Sequence, residues 1–232
     1  MSVFDRVEVT CPGCGAPVNF NAVFSLNADR SPHLRAAVLD GTFQREVCGK
    51  CNEGFRLDPE MTYIDVGRGQ WIAAFPYAKM EQWPTMEAQA RATFDRAYGP
   101  KASAAARELG AGMKPRLTFG WGALREKIFI AEAGFDDVIL ELAKTAMVRG
   151  MDNPPVGFGT ELRLANVEGD QLVIAWINGE NEEVREIMRV PRSLYDGIGA
   201  NLAPWESLRT SLSSGLFVDV NRLLVVPAEV AV

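Results

Sequence analysis

Three observations predict an α+β fold for this 232-residue chain. Two cysteine pairs of identical spacing sit among short alternating and β-branched runs in the first third. Helical periodicity fills residues 79–150. After residue 151, alternating runs broken by Glu168-Gly169-Asp170 and Asn178-Gly179 read as an antiparallel β-meander accompanied by helices.

Taken in order, residues 5–10 and 17–27 are the strands flanking the first cysteine turn. Ser31-Pro32 reads as an N-cap and first helical position, Leu34, Ala37 and Val38 supply an apolar side, and Asp40-Gly41 stops the helix. Residues 42–47 lead into the second cysteine pair, and residues 63–66 and 70–75 flank Gly67-Arg68-Gly69 as a hairpin. Thr85 is the expected cap of a helix carrying Met86, Ala90, Phe94 and Ala97 on one face, ended by Gly99-Pro100. Residues 102–109 and 123–132 read as helical. The clearest helix covers 134–149, where Phe135, Val138, Ile139, Leu142, Ala143, Ala146 and Met147 recur at helical spacing and Gly150 closes the run. The meander strands are 161–167, 172–178 and 183–190. Pro191 and Pro204 each mark a helix start, with Trp205, Leu208 and Leu212 facing inward in the second, and the apolar stretch 216–226 is expected to pair with a sheet edge. The chain thus divides into residues 1–78 and 79–232, the latter helical over 79–150 and an acidic β-meander plus helices over 151–232. No linker separates the two parts, so they can pack as one body.

The sharpest chemistry lies in Cys11-Pro12-Gly13-Cys14 and Cys48-Gly49-Lys50-Cys51, which account for every cysteine. Four thiolates on two tight turns can close a tetrahedron around one Zn²⁺. Pro12 stiffens the first turn, Gly13, Gly15 and Gly49 leave room for backbone beside a metal, and Asn52 follows the second pair as a residue that tolerates a left-handed conformation. The 33 residues between Cys14 and Cys48 exceed the usual inter-pair spacing. Doubling a loop costs only about 0.6 kcal/mol, against an apparent metal-binding free energy of about 10–16 kcal/mol in zinc-finger peptides, so the long insertion does not prevent closure. Disulfides would need an oxidising compartment, whereas the start Met1-Ser2-Val3-Phe4-Asp5-Arg6 has neither a basic nor an apolar leader region. A thioredoxin-like centre needs one pair at a strand-to-helix junction, and a catalytic zinc recruits histidine or carboxylate in a chain with a single histidine. The expectation is one structural Zn²⁺ held by Cys11, Cys14, Cys48 and Cys51.

Composition narrows the partners. The net charge of −6 arises from eight basic against nine acidic residues in 1–80, ten against nine in 81–150, and six against twelve in 151–232. All of the excess lies in the last third, and no basic stripe marks the cysteine region, which disfavours a dedicated nucleic-acid binder. No apolar run approaches the roughly 18–20 residues of a membrane helix. A cytoplasmic, bacterial-type protein without a membrane partner is expected.

Residues 11–76 resemble the CpXC family, a bacterial and archaeal group of uncharacterised function defined by two cysteine pairs. The resemblance rests on Cys11-Pro12-Gly13-Cys14, the strand Phe24-Ser25-Leu26-Asn27, the helix from Ser31-Pro32 to Asp40-Gly41 with Phe43 after it, and Cys48-Gly49-Lys50-Cys51, whose pair lacks the family's proline. It implies a zinc-ribbon-like module with the four cysteines as ligands, and no activity.

Other constellations carry less. His33, alone of its kind, reads as an exposed helix-start residue, and its solitude removes Ser-His-Asp and Cys-His catalysis. Asp136, Asp137 and Glu141 could do acid–base work, but early-turn acids complementing the helix dipole, with Glu141 near Lys144, explain them on a helix surface. Gly120-Trp121-Gly122 and Gly157-Phe158-Gly159 lack the third glycine of a dinucleotide site and read as turns. Trp71, Trp83, Trp121, Trp176 and Trp205 read chiefly as core. The function these residues predict is a structural-zinc protein acting as a non-enzymatic interaction adaptor or complex subunit, with a protein partner or a second copy of itself. Two alternatives remain: nucleic-acid binding through Arg30, Arg35, Arg45 and Lys50, and an enzyme built on carboxylates such as Asp136 or Glu141.

Overall fold

The computed structural model describes residues 2–155, 159–225 and 227. It is α+β, with eight α-helices and three sheets among the described residues. The alternating first segment forms β1 (Val3–Thr10) and β2 (Pro17–Asn27), paired antiparallel from Phe4↔Val23 to Thr10↔Pro17. Helix α1 (Pro32–Asp40) starts at Pro32, and Gly41 closes it at φ 78°, where only a residue without Cβ sits unstrained. The Ser31 side chain makes no cap, since its hydroxyl lies 3.2 Å from that of Ser2. Residues 42–47, expected only as an approach to the cysteines, contain β3 (Arg45–Val47), which pairs with β4 (Gly54–Arg56) as a separate ribbon. The next hairpin is β5 (Met61–Asp65) and β6 (Gln70–Phe75).

The middle is helical, with one exception. A 3₁₀ turn leads into α2 (Trp83–Tyr98), which begins two residues before Thr85 because Pro84 already occupies its first turn. Ser103 caps α3 (Ala104–Ala111) by accepting from the Ala106 N–H. The exception is β7 (Lys114–Phe119), a strand that pairs parallel to β6 from Gln70↔Lys114 to Phe75↔Phe119 and completes a sheet ordered β1-β2-β5-β6-β7. Helix α4 (Gly120–Glu132) therefore opens at the Gly120-Trp121-Gly122 fragment expected as a turn. A Cβ at Gly122 would lie 2.7 Å from Ile177 Cδ1, so the end of that side chain would have to shift to admit one. Helix α5 (Asp137–Arg149) is capped by the Asp136 carboxylate, which accepts from the Val138 and Ile139 N–H groups.

The last third forms β8 (Thr160–Glu168), β9 (Gln171–Asn178) and β10 (Val184–Pro191), an antiparallel meander. Helices α6 (Ser193–Ala200) and α7 (Glu206–Ser213) follow. The edge strand expected over 216–226 is not formed, residue 226 lying outside the described residues. Leu216 O accepts from Leu117 N on β7, but Asp219 turns inward and α8 (Asn221–Leu224) follows as the last helix among the described residues. Of the Gly157-Phe158-Gly159 fragment, the first two residues also lie outside the described range.

Strand β6 shows why the molecule holds together. Its alternate side chains serve two cores, Ile72 and Ala74 packing with Val38, Tyr63, Leu124 and Ile128, and Trp71, Ala73 and Phe75 with Met86, Ala90 and Phe217. The sheet is thus covered on both faces, which is how a strand comes to be buried at every position. Helix α4 lies between this sheet and the meander, sending Leu124 and Ile128 to one and Ile130 to the other, where Leu162, Ile174 and Trp176 meet it. All five tryptophans are buried or half-buried, so none supplies an exposed interface. No helix among the described residues is long and apolar enough to cross a membrane.

Candidate metal centre

The two cysteine turns fold alike. In the first, Cys11 N donates to Ala16 O at 2.9 Å and Gly15 N to Cys11 O at 2.9 Å; in the second, Cys48 N donates to Glu53 O at 2.8 Å and Asn52 N to Cys48 O at 2.9 Å. The residue after each pair takes the left-handed conformation, Gly15 at φ 70° and Asn52 at φ 62°. Each turn caps a hairpin, β1/β2 ending at Thr10↔Pro17 and β3/β4 at Val47↔Gly54. Phe20 and Phe55 meet at 6.2 Å between ring centroids and hold the two ribbons together.

That arrangement brings the four sulfurs within 4.8 Å of one another. Cys11 Sγ lies 3.7 Å from Cys51 Sγ, and Cys14 Sγ 3.7 Å from Cys48 Sγ. These separations are far beyond a disulfide bond of about 2.05 Å, and all four cysteines are free. A tetrahedron with metal–sulfur distances of about 2.3 Å has edges of about 3.8 Å, so the four sulfurs suit a closed tetrathiolate ion. Hydrogen bonds from the Cys51 and Lys50 backbone N–H groups pull the Cys48 thiol down to about 6. At Cys51 the Glu53 N–H favours thiolate, but hydrogen bonds with Cys14 and the other cysteines outweigh it and push the thiol up to about 12. The sulfurs compete for charge while they face only one another, and a cation at their centre relieves that competition.

This geometry defines a class, a tetracysteine protein whose paired cysteine turns sit at the tips of two β-ribbons. The chain belongs to the CpXC family: the family model described as CpXC protein matches residues 9–144, reaching from β1 well into α5. No curated protein and no solved structure matches the chain.

The remaining candidates are placed elsewhere. His33 is exposed on α1. Of the four cations proposed for nucleic acid, Arg35 is paired with Glu132 at 2.7 Å, Arg45 Nε donates to Gly41 O, and Arg30 and Lys50 are exposed. Asp137 and Glu141 are not helix-surface groups, which corrects the reading of them as solvated acids. Glu141 is 0% exposed, as is Lys144, 3.0 Å away.

These residues belong to a buried ionic network that composition did not disclose. Arg116 binds both oxygens of Asp137, at 2.7 and 3.0 Å, and Lys127 reaches Asp137 at 3.1 Å. Lys144 bridges Glu141 and Glu126, and Arg163 joins Glu126 at 3.1 Å to Asp219 and Glu161. Glu141 also accepts from Val220 N at 2.9 Å, which secures the turn after α7. The carboxylates of Glu126, Glu141 and Asp219 converge within 4.8 Å, yet the Lys144 ammonium, 2.5 Å from Glu126, lies among them as their cation. A signal for the network did exist: Asp137, Glu141 and Lys144 fall at i, i+4 and i+7, one helix stripe, and Glu161 and Arg163 share a strand face.

Burial raises the Glu161 carboxyl to about 7 in spite of Arg163. Folded protein therefore keeps a proton on Glu161 between the ordinary glutamate value, near 4.5, and about 7, where the unfolded chain has released it. Unfolding releases a proton in this window, so the Glu161 contribution to stability falls as pH rises through it. Glu161→Gln is expected to remove that fall. Denaturant unfolding of both proteins at pH 5 and pH 7 reads the difference, and an unchanged slope would assign the proton to another group.

Proposed function

We propose that Cys11, Cys14, Cys48 and Cys51 hold one structural Zn²⁺, and that the chain is a non-enzymatic interaction adaptor or complex subunit of a reducing, cytoplasmic compartment. The observation that carries the metal reading is the pair of matched turns with sulfur separations of 3.7 Å. With all four positions taken by sulfur, the ion keeps no open site for a substrate, which favours a structural over a catalytic role. The interaction reading is supported by where the candidate catalytic carboxylates went. Asp137 lines a cleft of about 290 Å³ beside Arg68, Lys114 and Arg116, but Arg116 and Lys127 hold it ionised and well below the usual carboxylate range. Glu141, whose carboxyl burial pushes up, faces Lys144 inside the protein. Neither of these two supplies a proton-transfer group to a cleft, and the Asp136 carboxylate accepts from the Val138 and Ile139 N–H groups as the cap of α5.

Affinity capture with the metal-loaded chain from its host, followed by reconstitution with the purified partner, tests this. The expected result is a protein complex that persists at about 0.5 M salt, where exposed charge pairs are screened. Binding of nucleic acid alone, with affinity falling steeply against log salt, would replace this reading with the nucleic-acid one.

A further inference from the structure

Strand β1 is the edge of the five-stranded sheet, and among the described residues no strand pairs with its outer side. It is eight residues long, β-branched and exposed along most of its length, with Val3 and Phe4 about half exposed. An unpaired edge of this kind is a template for another strand unless charge or geometry blunts it. Its charges are Asp5, Arg6 and Glu8. Arg6 and Glu8 lie opposite the neutral Asn21 and Asn19 of β2, and neither belongs to any of the described ion pairs.

We infer that β1 pairs antiparallel with β1 of a second copy about a two-fold axis at Val7, joining two sheets into one. The inference gives the interaction reading above a surface and a partner, and rests on it only for its biological meaning. The register follows from symmetry and charge. In an antiparallel pair of identical strands the two-fold axis stands perpendicular to the sheet and passes through a pair formed by one residue and its own copy. An axis at Asp5, Arg6 or Glu8 would set that charge directly against itself, which opposes pairing. An axis at Val7 sets Val7 against Val7, Arg6 against Glu8 of the partner, and Glu8 against Arg6 of the partner, while Phe4 meets Thr10. It is the one central register in which every charge avoids its like and two opposite-charge pairs form. Strand β10, an edge of the three-stranded sheet, does the reverse: an axis at Ile187, near its middle, opposes Arg185 to Arg189. Main-chain hydrogen bonds supply the attraction and the side chains fix the register, as in strand addition generally.

Sedimentation equilibrium on the intact metal-loaded chain tests the pairing. Native protein is expected to form a concentration-dependent dimer. Arg6→Glu and Glu8→Arg, both at exposed positions, are each expected to weaken it by at least about tenfold, because each turns two favourable cross-strand pairs into repulsive ones. An equimolar mixture of the two variants is expected to recover the native affinity as a heterodimer, since opposite charges then face each other at both positions. Circular dichroism and metal content verify that each variant is folded. A chain that stays monomeric up to about 1 mM, self-association untouched by either reversal, or a mixture no tighter than its components would each overturn the proposal. A monomer that still forms a defined complex with a different protein would leave the adaptor reading standing and remove only this one.

Discussion

Replacing Cys48 by serine is expected to abolish metal retention and to unfold the two cysteine ribbons. Cys48 is buried, its thiol is the one drawn toward the thiolate at neutral pH, and its own backbone closes the second turn. Without it the remaining three sulfurs cannot complete a tetrahedron. The free energy at stake is large: metal binding in zinc-finger peptides supplies about 10–16 kcal/mol, comparable with the entire stability of an ordinary domain, about 5–15 kcal/mol. Strands β3 and β4 are three residues each and mostly exposed, so beyond the metal they are held by few contacts, chiefly Phe20 on Phe55 and Arg56, which pairs with Glu182 at 2.8 Å, donates to Phe43 O and stacks on Trp121. Hydrogen exchange should therefore rise most in residues 3–10 and 45–56 and least in α5, whose Leu140 and Leu142 lie in other cores. Native-like protection of residues 45–56 in the serine variant would show that the ribbons fold without the ion.

The second large effect is expected at Lys144. Lys144→Met keeps an unbranched apolar stem and removes the ammonium that lies between Glu126 and Glu141. Three converging carboxylates, with Asp219 the third, are then left with Arg163 and the more distant Lys127. Removing one partner of a buried pair costs about 3–5 kcal/mol, which for a chain of this size lowers the melting temperature by about 10 °C. The loss is expected to depend on pH in a definite direction. Deprived of their cation, the carboxylates hold protons to higher pH when folded than when unfolded, so the deficit grows as pH rises above the ordinary glutamate range. Thermal melts at pH 5 and pH 8 measure it. A loss below about 1 kcal/mol, or one independent of pH, would mean that Lys144 is not the cation that neutralises this cluster.

These two sites also mark what the sequence makes legible. The cysteine turns are local objects: spacing, Pro12, Gly15 and Asn52 specify each knuckle within six residues, and the structure reproduces both, down to the left-handed Asn52. The helix at Asp137–Arg149 and the β8–β10 meander were readable for the same reason, since periodicity and turn residues act over short distances. Strand β7 was not. It is six residues long, carries Pro115, and exists because β6 lies beside it in parallel, a pairing across more than forty residues that no local pattern encodes. The buried ionic network escaped for a different reason. Charged residues are solvated in most proteins, so Glu141 and Lys144 read as a surface pair until Glu126, Arg163 and Asp219 arrive from three other parts of the chain. The same distant contacts explain why 216–226 is no strand: Asp219 is held by Arg163, and Glu87 accepts from the Leu216 and Phe217 N–H groups.

The claim on which the rest depends is that four cysteines close around one zinc. Elemental analysis combined with X-ray absorption at the zinc edge, on protein purified without added metal or chelator, tests it directly. The account predicts one zinc per chain with a shell of four sulfurs at about 2.3 Å. A folded chain without metal, or a zinc shell containing nitrogen or oxygen, would contradict it.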